Sequence, residues 1–118
     1  MAWVADLRSG EFVQGRGRLC KKEHDPETGQ FTGRLTYCCL GVLTLRAIEA
    51  GAADPEAIER GLLPEEVINW AGIASRYDRH DPVVKITYNR QRNLSELNDR
   101  SHTFEQIAAL IEEQWEDL

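Results

Sequence analysis

The stretch from Tyr37 to Ala50 places the tightest constraint on how this chain can fold. Between Cys39 and Ile48, the residues Cys39, Leu40, Val42, Leu43, Leu45, Ala47 and Ile48 occupy nearly every side of a 3.6-residue wheel. A helix that is apolar almost all round must be buried, because no side of it is suited to water. Arg46 and Glu49 mark the point where it emerges, and Gly51 offers a left-handed stop. Gly41 costs about 1 kcal/mol relative to alanine inside a helix. Its presence predicts that another backbone or a ligand comes close there.

The remaining segments supply partners for this core helix. Trp3, Val4 and Leu7 fall on one side of a short helix over residues 2–8, ended by Gly10. From Phe12 to Cys20 the pattern changes to period two, with Val13, Gly15, Gly17 and Leu19 opposite Gln14, Arg16 and Arg18. His24 to Gly29 carries the turn residues Asp25, Pro26 and Gly29, and alternation resumes over residues 30–36. The expectation is a hairpin running straight into the core helix. Two short helices follow, one with Pro55 at its first position after Asp54 and a stop at Gly61. The other opens at Pro64 and stops at Gly72. Residues 83–88 are β-branched and read as a strand. Thr103 and Gln106 form a capping box for a C-terminal helix striped by Phe104, Ile107, Ala108, Ile111 and Trp115. These elements predict an α+β fold in a single domain over residues 1–118. Its small antiparallel sheet takes strands from 12–20, 30–36 and 83–88, with the core and C-terminal helices on one face.

Composition narrows the function classes. With 118 residues, 42% hydrophobic and 29% charged, the chain is an ordinary globular one. No apolar run approaches the ~20 residues of a membrane span, and the start of the chain carries an acid rather than a basic leader. Three cysteines, two of them adjacent, suggest reduced thiols and a cytoplasmic setting. A net charge of −6 argues against general nucleic-acid binding, which depends on neutralising phosphates. The charge is uneven: residues 14–22 carry four bases and no acid, and residues 105–118 carry five acids and no base.

Several motifs occur in order along the chain: Leu7-Arg8-Ser9-Gly10-Glu11, Gln14-Gly15-Arg16-Gly17-Arg18-Leu19 and Tyr37-Cys38-Cys39-Leu40-Gly41-Val42-Leu43. Leu63-Pro64, Val67, Trp70-Ala71-Gly72, Leu97-Asn98-Asp99 and Thr103-Phe104 follow. Together they resemble a family of small, mostly uncharacterised bacteriophage and bacterial proteins marked by a YCCLGVL signature. The resemblance implies a phage or prophage accessory protein acting in the host cytoplasm. It brings no assigned activity and no catalytic residues.

Two classes of function stand against each other. The first is a non-catalytic binding protein that captures an anionic, nucleotide-like host signal molecule or a host protein, as a host-defence antagonist would. Its expected site is Gln14, Arg16, Arg18 and Arg34, with the alternating glycines leaving a bare face and the guanidinium forks facing phosphate or carboxylate. The bland alternative lets those glycines admit aromatic rings while the arginines pair with acids of the C-terminal helix. The second class is a thiol-dependent hydrolase, with Cys38 or Cys39 activated at a helix N-terminus and His80 or His102 as base. Asn98 or Asp99 would then orient the base, although in the binding reading they serve a turn. A zinc site from Cys20, His24, Cys38 and Cys39 is disfavoured, since adjacent cysteines point in different directions. No cofactor, metal or membrane partner is expected, and the oligomeric state is left open.

Overall fold

A computed structural model describes residues 2–73 and 79–118. Helix α1 (Ala2–Arg8) leads through an irregular segment into strands β1 (Cys20–His24) and β2 (Phe31–Tyr37), then helix α2 (Cys39–Glu49). A 3-10 turn (Pro55–Glu59) and helix α3 (Glu65–Ala71) follow. Next come strands β3 (Val83–Thr87) and β4 (Arg90–Asn93), helices α4 (Leu94–Arg100) and α5 (Phe104–Gln114), and a last 3-10 turn (Trp115–Asp117). The architecture is α+β.

Helix α2 is the core helix that its sequence predicts. Cys39, Leu40, Val42 and Ala47 are fully enclosed, and the hydroxyl of buried Thr44 donates to the Leu40 carbonyl at 2.9 Å, so that it costs nothing to bury. Gly41 is needed for a close backbone approach. A Cβ there would lie 1.7 Å from the Leu19 carbonyl oxygen, closer than any side chain allows. That same carbonyl accepts from Cys38 N at 3.3 Å, so the segment before β1 is pressed against the start of α2. Around α2 pack Trp3, Val4 and Leu7 of α1, Val67 and Ile68 of α3, Leu94 and Leu97 of α4, and the Phe104–Ile107–Ala108–Ile111 stripe of α5. The indole N–H of Trp3 donates to the Cys39 carbonyl at 2.9 Å, fixing α1 to the first turn of α2. Gly72 ends α3 with φ 77°, and the Thr103–Gln106 capping box is fully formed.

Three expectations change. The strands do not share one sheet: β1 pairs only with β2 and β3 only with β4, each antiparallel with one irregularity. Residues 12–20 are not a strand. Gln14 makes an isolated parallel bridge to Tyr37, Gly17 turns the chain at φ 84°, and the paired strand begins at Cys20. The helix after Pro55 is a single 3-10 turn closed by the backbone, without a side-chain cap from Asp54. Among the described residues, no helix is long and apolar enough to cross a membrane.

Candidate functional site

The motifs singled out in the sequence meet in a buried polar knot rather than around a ligand. Asn98, on α4 and fully enclosed, accepts through Oδ1 from Cys39 N (3.1 Å) and Gln14 Nε2 (3.0 Å). Its Nδ2 donates to the Gly15 carbonyl at 2.7 Å and to Asp99 Oδ1 at 3.1 Å. Gln14 Nε2 also donates to the His102 carbonyl at 2.8 Å, and Gln14 Oε1 accepts from Phe104 N at 3.2 Å. Asp99 Oδ1 accepts from Gly17 N. Two of these bonds have a reason in helix chemistry, because Cys39 N and Phe104 N belong to the first turns of α2 and α5, where no carbonyl lies within the helix to take them. Asn98 and Gln14 supply those acceptors from elsewhere in the chain. Gln14 is therefore a structural residue with both amide atoms engaged, not a ligand contact. Asn98 and Asp99 lie within a helix and tie elements together, rather than closing a turn.

The two thiols at this junction are held neutral. Cys38 is the N-cap of α2, and its Sγ accepts from Gly41 N at 3.4 Å. That contact favours a thiolate, but burial outweighs it and pushes the thiol from 9.0 up to about 11. Burial raises Cys39 further, and its Sγ lies 3.7 Å from the Leu94 carbonyl. The candidate bases are occupied elsewhere: His102 Nδ1 lies 2.6 Å from Ser101 Oγ, and His80 Nδ1 lies 2.7 Å from the Leu63 carbonyl. A buried thiol at the head of a helix is a packing residue here, and the dipole argument for a nucleophile loses to desolvation. Among the described residues, no three His, Cys, Asp or Glu side chains are placed to hold a metal.

Of the expected arginines, Arg18 lines a concave surface. Because Gly17 bends the chain, Arg16 and Arg18 do not project side by side from a strand. Arg34 lies beyond the last regular pair of the hairpin, Lys22 with Leu35. Neither Arg16, Arg18 nor Arg34 forms an ion pair among the described residues. Arg8 instead takes the acids of α5, at 3.1 Å from Glu105 and 3.2 Å from Glu112. The glycines do not admit aromatic rings either: a Cβ on Gly15 would strike Thr36, and Gly17 faces open space.

What the structure adds is an open groove of about 700 Å³ between one face of the β1–β2 hairpin and the Pro55–Glu59 turn. Cys20, Lys22, His24 and Leu35 line it from the hairpin, Arg18 and Lys21 from its root, and Ile58 and Glu59 from the turn. Strand alternation explains the set, since Cys20, Lys22 and His24 share a face. Lys22 Nζ sits 5.4 Å from the centre of the Phe31 ring, and His24 lies 6.3 Å from the same ring. Phe31 and Leu35 remain 46% and 40% exposed, so an apolar surface stands beside three cations and one acid. The sequence signal for Lys21 and Lys22 was the acid-free run 14–22, and His24 was named only for a turn and a disfavoured zinc site; the opposing wall required the fold.

No curated protein and no solved structure matches this chain. The family model described as Domain of unknown function (DUF8296) matches residues 1–115, nearly the whole length over which the knot, the core helix and both hairpins are built. The chain belongs to that uncharacterised family.

Proposed function

We propose that this is a non-catalytic binding protein of phage or prophage type, acting in the host cytoplasm. In this reading the groove beside the first hairpin captures an anionic, nucleotide-like host signal molecule, as a host-defence antagonist would. The observation that carries the reading is the pairing of chemistries at this groove: Arg18, Lys21 and Lys22 line it for phosphate with Leu35 as an apolar wall, and exposed Phe31, outside the lining but beside Lys22 and His24, offers a ring to an aromatic base. Guanidinium and ammonium groups recognise phosphate through charge-assisted hydrogen bonds, and an aromatic face adds stacking that tolerates any base. The buried thiols favour this reading over a thiol hydrolase using Cys38 or Cys39, whose nucleophile would have to ionise at neutral pH.

Calorimetric titration with adenosine diphosphate tests it. The wild-type protein should bind one equivalent without turnover, more weakly as salt rises. Arg18→Gln combined with Lys22→Gln should lower affinity by at least about tenfold, since each loses a hydrogen bond to a charged group. Binding equal to wild type in the double variant would overturn the groove as the site. A second reading, capture of an acidic host protein surface, is favoured by the projection of the hairpin, whose β2 strand is exposed from Phe31 to Leu35. A protein partner lost in the same double variant, with no nucleotide heat in wild type, would select it.

A further inference from the structure

The second hairpin builds a separate cationic pocket from other elements. It has a volume of about 370 Å³, with Ile86 and Leu97 as its apolar lining and Arg90, Arg92 and Arg100 around them, beside Ser101 and His102. The register explains why these groups converge. Arg92 pairs with Val84 and shares its face, and the irregularity between Lys85 and Thr87, where Arg90 pairs with Thr87, brings Arg90 and Ile86 to the same opening. Arg100 ends α4 one turn beyond Leu97 and Glu96, which turns its guanidinium to the same opening.

The charges do not balance. Glu96 is the one acid lining the pocket, and it is stretched between two arginines, 3.7 Å from Arg92 Nε and 3.9 Å from Arg100. Those separations are longer than hydrogen bonds, so neither fork is engaged by the carboxylate. Arg90 forms no ion pair among the described residues. Three guanidiniums against one carboxylate, in a chain of net charge −6, repel one another unless an anion enters. Arg92 Nη1 donates to the Gln91 carbonyl at 2.7 Å, which steadies that fork while its other donors, with those of Arg90 and Arg100, face the opening.

We infer that this pocket is a binding site for a small multiply charged anion of the phosphate class, held by Arg90, Arg92 and Arg100. Planar forks match tetrahedral oxyanions in pairs. The apolar lining of Ile86 and Leu97 suits the carbon portion of a phosphate ester better than a fully hydrated ion. The site shares no residue with the groove beside the first hairpin, so either can fail without the other.

The test follows the Nε–Hε signals of the arginines by nuclear magnetic resonance during titration of the full chain with inorganic pyrophosphate, at ionic strength matched with chloride. Saturable shifts centred on Arg90, Arg92 and Arg100 are expected. Arg90→Gln should weaken binding by about tenfold, the loss of one charged hydrogen bond. Glu96→Gln should tighten it, because the competing carboxylate is gone, a gain that misfolding cannot mimic. Shifts that chloride reproduces, shifts confined to Arg18, or unchanged affinity in Glu96→Gln would each overturn the assignment.

Discussion

The two hairpins have nearly the same construction and opposite fates. Each is a two-stranded antiparallel ribbon with one irregularity, and such ribbons are marginal in water on their own. The second is gripped at its base and as far out as Lys85. Val84 is buried, and Gln114 of α5 bonds the Lys85 backbone twice, accepting from its N–H at 2.7 Å and donating to its carbonyl at 2.8 Å. At its base, buried Asp81 accepts from Ser95 N and from the Ser95 hydroxyl, capping α4 where Asn93 itself does not. Among the described residues, the backbone bonds that hold the first hairpin to the rest of the fold lie at its root: Tyr37 N to Val13 O, Gly15 N to Tyr37 O and Cys38 N to Leu19 O. Beyond Leu35 both its faces meet water. Strand pairing is common to both; what differs is whether a remote side chain captures the backbone. A ribbon fixed at its base can present a face to a partner, and one clamped partway along its backbone serves as wall and floor.

If the knot is what roots the first hairpin, breaking it should have the largest effect. Asn98→Ala strands Cys39 N and the Gly15 carbonyl in the knot and removes one of the two bonds that Gln14 Nε2 donates. Each unsatisfied group costs about 1–3 kcal/mol, so a total near 4 kcal/mol is expected. A urea midpoint close to wild type would show that the root lies elsewhere. Hydrogen exchange should quicken first at Gly15 and Gly17, while β3 and β4 keep their protection up to the global limit.

Next in size is an alkaline effect at the same root. Cys38 titrates near 9.0 when unfolded and at about 11 in the fold. A raised folded value means that the neutral thiol contributes its full stability below pH 9 and loses it as pH climbs toward 11. The loss from this group reaches about 3 kcal/mol. Cys39 shifts in the same direction. Unfolding midpoints of wild type and Cys38→Ala should therefore converge between pH 9 and 11. Parallel curves would mean that the Cys38 sulfur reaches water in the folded protein.

The same contrast explains what could be read from the sequence. The core helix, the α5 stripe, its capping box, the close approach at Gly41 and the Gly72 stop were all legible, because each is a local pattern answering to burial or to a φ angle. Both faces of β1 reach solvent, so Cys-Lys-Lys-Glu-His carries no alternation to betray a strand. The alternation that does exist, over residues 12–20, comes from glycines placed for a bend and for contact with Thr36. β4, Arg-Gln-Arg-Asn, has no β-branched residue and forms because β3 and α4 fix its position. The candidate site was half legible: Arg18 was named, but its opposite wall at Ile58 and Glu59 depends on how the 3-10 turn packs. Gln14 was named for the wrong reason, since an exposed amide and a buried helix cap look alike in one chain.

Loosening the second hairpin should make it resemble the first. Gln114→Ala removes both bonds to Lys85 and leaves its backbone to water, at an expected cost of about 1–2 kcal/mol. Exchange at Lys85 should accelerate toward the rate of mid-hairpin amides in β1. If Lys85 stays protected, packing of Val84 alone holds the ribbon and the amide clamp is incidental.

The smallest effect on stability should come from the exposed face of the first hairpin, and it bears most directly on function. Phe31→Ala removes a ring that is 46% exposed and touches mainly Lys22 and His24. An exposed cation–π contact is worth about 0.5 kcal/mol, so the unfolding midpoint should barely move. Were the first hairpin structural like the second, the same substitution would cost several times more, as loss of a packed ring does. Binding should respond in the opposite proportion, because stacking of a base on an aromatic ring is worth about 1–3 kcal/mol. Nucleotide affinity falling about fivefold or more, with stability held, is the signature of a presented face. A fall in stability with affinity intact would make Phe31 a packing residue and return the groove to the scaffold.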